Sequence, residues 1–151
     1  MTAHYSSKHG QVKKSPAELF MAFTDLSNFA ALAPEQYREM IQADYDFLSI
    51  TVQGFKISVR VDERRPYSLI RLGSSESPVE FVAVLHFDPS YIPDRTDFSI
   101  EVDANLNFMM KTMLGGRIKE ALDKIVKGLE DVSNGIMPEG MPADFNPQNF
   151  S

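Results

Sequence analysis

The sequence predicts an α+β fold in which an antiparallel sheet with one apolar face is covered by a single long helix at the carboxy-terminal end. Three observations carry this. Apolar residues recur three and four apart from Asn107 to Ser133, they alternate with polar ones from Asp46 to Leu106, and Ser15-Pro16-Ala17-Glu18 marks a separate helix start well ahead of both.

The long helix is the element around which the rest is arranged. Phe108, Met109, Met110, Met113, Leu114, Ile118, Ala121, Leu122, Ile125, Val126, Leu129 and Val132 make one wide apolar stripe, and Lys111, Arg117, Lys119, Lys124, Lys127 and Glu130 lie opposite. Asn107 can cap its start, and Ser133-Asn134-Gly135 supplies a left-handed residue at its end. At about 1.5 Å per residue it is roughly 40 Å long, enough to cross a small domain. Its front third carries Phe108, Met109, Met110 and Met113, side chains that adapt to irregular space, whereas the back half carries Ile, Leu and Val. Gly115-Gly116 stands between, each glycine costing about 1 kcal/mol relative to alanine. Two readings stay open: methionines as core filler with a mild kink, or methionines lining a pocket.

In chain order, Tyr5 to Lys14 reads as a polar, half-exposed strand with Val12 as its core residue. The capping box with proline at the first helical position then starts a helix whose apolar side is Leu19, Phe20, Ala22, Phe23 and Leu26. Asp25 or Ser27 caps a second short helix, Asn28 to Leu32, which Pro34 stops. Glu35 to Ala43 fits a helical turn as well as a strand.

From Asp46 the period is two. Leu48, Ile50 and Val52 share a side, and after Gln53-Gly54 so do Phe55, Ile57, Val59 and Val61, which together make a hairpin. Arg64-Arg65-Pro66 is the next turn, followed by Ser68 to Ser74 with Ile70 and Leu72 on one face. Val79 to Asp88 places Phe81, Ala83, Leu85 and Phe87 together, and Pro89 to Arg95 is a longer connection. In Thr96 to Leu106 the residues Phe98, Ile100, Val102, Ala104 and Leu106 point inward. Such a meander must cover its apolar face, and the long helix is the element large enough to do so. Residues 1–133 form one domain. Residues 134–151, rich in Pro, Gly, Asn and Met, are expected to be a flexible tail.

The totals narrow the function classes. A chain of 151 residues buries a core without staples; it has no cysteine and three scattered histidines, His4, His9 and His86, so neither disulfides nor a metal are expected, and no cofactor motif is present. The net charge of -6, with no concentrated basic stretch, speaks against nucleic acid as a partner. No signal-peptide core and no run of about 18 apolar residues is found, which gives a cytoplasmic protein without a transmembrane segment, transient membrane contact being compatible with it.

Two stretches carry a resemblance. Ser15-Pro16-Ala17-Glu18-Leu19-Phe20 leading to Phe23-Thr24-Asp25-Leu26-Ser27-Asn28-Phe29, and Leu106-Asn107-Phe108-Met109-Met110 opening a helix that ends Leu122-Asp123-Lys124-Ile125-Val126-Lys127-Gly128-Leu129, resemble the START-like (SRPBCC) superfamily. This superfamily includes polyketide cyclases, the birch-pollen-allergen type and coenzyme-Q-binding proteins, and the similarity spans about Tyr5 to Val132. It implies the helix-grip fold: a curved antiparallel sheet of about seven strands wrapped on the carboxy-terminal helix, two short helices between the first two strands, and Tyr37 to Ala43 extended. It also implies an apolar cavity lined by Phe29, Leu32, Ile57, Ile70, Phe81, Leu85, Phe98, Met109, Met110 and Met113. No catalytic motif is shared.

Three functions follow as expectations. The first is binding or carriage of a small hydrophobic molecule such as a lipid, isoprenoid quinone or polyketide. The second is a cyclase, dehydratase or hydrolase using the same cavity. This reading is the weaker, because Glu80, His86, Asp97, Glu101, Asp103, Lys56, Arg60 and Arg71 fall on the solvent parity, and only Tyr37, Tyr45 and Tyr67 are candidates for the rim. The third is an interaction module, monomer or homodimer, built on Val82 and Val84 of the outer face.

Overall fold

The computed structural model describes residues 2–32, 39–52, 55–75 and 79–135, and within these all side chains but those of 29, 31, 32, 52 and 55. In chain order the elements are β1 (Thr2–Ser6), β2 (Gly10–Val12), α1 (Pro16–Phe23), α2 (Ser27–Leu32), β3 (Ile41–Ala43) and β4 (Phe47–Val52), then β5 (Phe55–Arg65), β6 (Leu69–Ser74), β7 (Phe81–Pro89), β8 (Thr96–Asn105) and α3 (Phe108–Ser133). The strands form one curved antiparallel sheet of eight in the order β1-β8-β7-β6-β5-β4-β3, with β2 also paired to β8. This is the helix-grip arrangement.

Three local features depart from the alternation pattern. The amino-terminal strand is broken into β1 and β2, and Ser7 bridges the break: its N–H donates to the Ile100 carbonyl at 2.8 Å and its Oγ accepts from the Ile100 N–H at 2.9 Å. Both pieces stay on β8. Strand β5 runs through Arg65, so the turn expected at Arg64-Arg65-Pro66 falls instead one or two residues later, ahead of Leu69. A register shift between Val61 and Glu63 sets two residues of β5 against one of β6, which brings Arg64 opposite Ile70 on the inner side. Of the stretch Tyr37 to Ala43, Ile41–Ala43 is strand β3; residues 33–38 and the tail 136–151 lie outside the described residues.

Of the capping box, the Ser15 half forms as expected, while the Glu18 carboxylate takes the Ser15 hydroxyl rather than the Ser15 backbone N–H. The Glu18 N–H donates to Ser15 Oγ at 3.2 Å, and the Ser15 hydroxyl donates to Glu18 Oε1 at 3.1 Å. Helix α1 thereby enters at an angle that buries Leu19, Phe20, Ala22 and Phe23. Asp25 Oδ1 accepts from the Ser27 N–H at 3.0 Å and starts α2. The α1 aromatics close one end of the inner face, with Phe23 stacked on Phe87 and Phe98 at centroid distances of 6.4 and 6.2 Å. Each such ring pair adds about 0.5–1.5 kcal/mol beyond the area it buries.

Helix α3 closes the other part, and only its back half contributes fully buried side chains. Leu122, Val126, Leu129 and Val132 are buried. The helix lies mainly against β2, β1 and β8. At Gly10 a Cβ would fall 2.5 Å from Val126 Cγ1, so glycine is what lets β2 approach this closely. Backbone N–H groups of the β2 region donate to α3 side chains: Lys8 to Asp123 at 2.6 Å, Gln11 to Glu130 at 3.0 Å and Lys13 to Ser133 at 3.0 Å. Lys119, and then the Lys8 N–H, hold the Asp123 carboxyl below the usual carboxylate range.

Candidate functional site

The inner face of the sheet is unevenly covered. On β6, β7 and β8 the inward residues Ile70, Leu85, Phe87, Phe98 and Ile100 are all buried. On β4 and β5 the equivalent residues are not. Leu48 faces Val59, and Ile50 faces Ile57. Leu48, Val59 and Val61 pack against the core by one edge yet stay only partly buried, and Ile57 is 38% exposed. Beyond the reach of α3, an apolar strip of the curved sheet is left accessible to solvent. Exposed apolar residues that line one face in this way are the usual mark of a binding surface.

The front half of α3 lies over the β1–β8 side of the same inner face. Met110 and Ile118 pack beside Phe81 and Val102 around Ala3, Ala104 and Leu106, while Phe108, Met109 and Met113 are 78%, 68% and 65% exposed. Thus the structure brings Phe81 and Met110 together around Ala104 and Leu106, at the β1–β8–β7 side of the inner face. It sets Ile57 on the open strip and places Ile70, Leu85 and Phe98 in the filled core. Met109 and Met113 stand on the solvent side of the helix. The side chains of Phe29 and Leu32 lie outside the described residues.

Tyr5 is a residue that sequence reasoning did not single out. It shares the inward parity of Ala3, and its ring packs against both apolar clusters, together with Val102 and Ile118. Its hydroxyl is buried and has no hydrogen-bond partner among the described residues. Leaving such a group unsatisfied costs about 1–3 kcal/mol. Above it sits Gly115, where a Cβ would come within 3.1 Å of Tyr5 Oη. The parity of β1 was the signal that could have found it.

The ionisable groups of the strands are elsewhere. All three histidines are on the outer side with carboxylates of β8: His4 Nδ1 lies 2.7 Å from Asp103 Oδ1, His9 Nδ1 lies 2.8 Å from Asp97 Oδ1, and His86 Nε2 lies 3.0 Å from Glu101 Oε2. His86, read from the sequence as a strand histidine on the solvent side, is half-buried beside Glu101. Asp103 first, and Glu101 weakly, raise the His4 imidazole above its ordinary value. Among the described residues no three His, Asp or Glu side chains gather as a metal site would require.

Of the tyrosines considered for the rim, Tyr37 lies outside the described residues. Tyr45 is half-exposed beneath the Arg64 guanidinium, 4.2 Å from ring centroid to Cζ, and Tyr67 meets Phe20 edge-on at 5.7 Å. Arg64 donates to the Thr24 carbonyl at 2.7 Å, the Tyr45 carbonyl at 2.9 Å and Asp46 Oδ1 at 2.8 Å, which ties α1 to the β3–β4 turn. On the outer face Val82 is exposed and Val84 half-buried. Among the described residues no helix is long and apolar enough to cross a membrane.

A curved antiparallel sheet held against one carboxy-terminal helix, with an apolar inner face, is the helix-grip fold. The chain is similar to a point mutant of norcoclaurine synthase from Thalictrum flavum in complex with a transition state analogue, with TM-score 0.65 and 12% identity over 89% of this chain and 96% of that one. A conserved protein from Geobacillus kaustophilus gives TM-score 0.65 and 14% identity over the same shares, 89% and 96%. Norcoclaurine synthase in complex with dopamine and hydroxybenzaldehyde gives TM-score 0.58 and 14% identity over 80% of this chain and 83% of that one. No family model and no curated protein sequence matches. Identities this low carry the fold and leave the activity to the site.

Proposed function

We propose that the protein binds and carries a small hydrophobic molecule, of the lipid, isoprenoid quinone or polyketide kind, between the β4–β5 inner face and the front half of α3. The observation that carries this is the accessible aliphatic strip of Leu48, Ile50, Ile57, Val59 and Val61 on a face that is otherwise core. Sites for apolar ligands are concave and mostly apolar, with few polar groups. That a helix-grip protein is found with dopamine and hydroxybenzaldehyde supports small-molecule binding on this scaffold by analogy. The reading takes the carrier to act in the cytoplasm. Carriage ranks above catalysis because the strand carboxylates and histidines described above pair with one another on the outer face, away from the strip.

The test is uptake of the neutral fluorescent probe N-phenyl-1-naphthylamine. Saturable enhancement is expected for the wild type. Ile57→Glu puts a carboxylate on the strip at a position already partly exposed, so the fold should stand by circular dichroism while affinity falls at least about tenfold, in line with the cost of desolvating a charge. Equal affinity in that variant moves the probe off this strip and defeats the proposal.

A further inference from the structure

We infer that the Tyr5 hydroxyl is the polar anchor of this site, donating a hydrogen bond to a neutral oxygen, a carbonyl or an ether, on an otherwise apolar ligand. The inference rests on the carrier reading above and narrows it to a ligand class. Tyr5 Oη is buried without a partner among the described residues, although a phenylalanine would fill the same space with no polar atom to satisfy. Its ring stands where the two apolar clusters meet, between Val102 of β8 and Ile118 of α3. The neighbours that the ring shares with both clusters, Val102 and Ile118, are aliphatic. A ligand carboxylate brought to a buried hydroxyl beside them would carry a heavy desolvation cost, so a neutral acceptor is the group that fits.

The way to the hydroxyl runs under the front of α3. Gly115 leaves Oη without a side chain over it, and at Gly116 a Cβ would meet nothing within 4 Å. The side-chain hydrogen bonds that tie α3 to the β2 region are made by Asp123, Glu130 and Ser133, all behind the glycine pair. Ahead of the pair, Met110 and Leu114 are half-buried and the remaining side chains of the helix are exposed. A ligand therefore reaches Oη by displacing the lightly held front half, while the back half stays fixed.

The experiment compares two neutral molecules of the same shape, 2-undecanone and 2-methyl-1-undecene, as competitors of N-phenyl-1-naphthylamine on the full chain. The wild type should prefer the ketone by about tenfold, the worth of one buried hydrogen bond. In Tyr5→Phe the ratio should fall to near one, and the carbonyl stretch of bound 2-undecanone should move to higher wavenumber than in the wild type. Tyr5→Phe should melt no lower than the wild type, because the hydroxyl it removes has no partner to lose. Gly115→Ala, which sets a methyl over Oη, should reduce the preference as well. A ketone preference that persists in Tyr5→Phe, or a wild type that binds both molecules equally, overturns the anchor while leaving the carrier reading in place. A wild type that takes up neither the probe nor either competitor overturns both.

Discussion

The Gln11 backbone N–H donates to Glu130 Oε2 at 3.0 Å, so a helix carboxylate closes the edge of a strand that, among the described residues, has no further strand beside it. Lys8 Nζ sits 3.2 Å from the other oxygen of the same carboxylate. Glu130→Ala strips the acceptor from a part-buried N–H, and the expected loss is about 1–2 kcal/mol in urea unfolding, most of it from the unsatisfied amide. Glu130→Gln keeps an acceptor oxygen and should recover the greater part. If the two variants unfold alike, the ion pair with Lys8 and not the amide is what matters.

Arg64 makes the corresponding tie at the other end of the molecule. Its fork reaches the Thr24 and Tyr45 carbonyls and Asp46 at once, and its plane lies over the Tyr45 ring. A lysine ammonium cannot reproduce that planar spread. Arg64→Lys is expected to cost about 1–3 kcal/mol of stability, nearly as much as Arg64→Ala, because the Thr24 carbonyl at the end of α1 loses its partner in both. Urea midpoints of the three proteins check this, and a lysine variant as stable as the wild type would show that charge alone suffices.

The architecture was legible because period and capping act locally. Alternation in Thr96 to Leu106 and the Ser15–Glu18 box report on neighbours one to four residues away, and the strand and the helix start stand where they were expected, although Ser99 is buried at outward parity and Glu18 takes the Ser15 hydroxyl in place of its amide. What depends on the third dimension was not. The three-and-four spacing puts Met109 and Met113 in the apolar stripe, yet the front half of the helix meets the sheet along a narrower line, Met110, Leu114 and Ile118, and leaves Phe108, Met109 and Met113 in solvent. Arg64 was unreadable for a different reason, since the shift after Val61 inverts the parity of β5 without any glycine or proline to mark it. Ser49 and Ser58, facing each other at outward parity, are nonetheless buried. Parity separates the two faces; it does not tell filled core from open strip, which is why Ile57 and Ile70 look alike in the sequence.

The glycine pair of α3 separates into two different positions. At Gly116 and at Gly128 an added Cβ meets nothing, so alanine should gain about 1 kcal/mol at each through helix propensity alone. At Gly115 the same methyl comes within 3.1 Å of Tyr5 Oη. Thermal melting should therefore rise in Gly116→Ala and in Gly128→Ala, and rise less or not at all in Gly115→Ala. Equal gains at all three would mean that the ring of Tyr5 yields freely.

The last prediction concerns pH. His4 on β1 lies directly across from Asp103 on β8, its Nδ1 2.7 Å from the carboxylate, with Ser6 Oγ 3.1 Å from Nε2 and Glu101 as the next charge along the strand. The hydrogen bond to Asp103 is the largest influence and raises the folded-state pKa above the unfolded value of about 6.5. A histidine whose pKa is raised by folding contributes stability that is fully present below the unfolded value and is lost as pH rises through the folded one. The stability difference between the wild type and Asp103→Asn should therefore be largest near pH 6 and fade toward pH 8 to 9, and added salt should shrink it, since both side chains are well exposed. The His4 ring signal followed by NMR should titrate above the ordinary histidine midpoint in the wild type and return to it in Asp103→Asn. A midpoint for His4 that is the same in both proteins would show that the pair does not hold in solution.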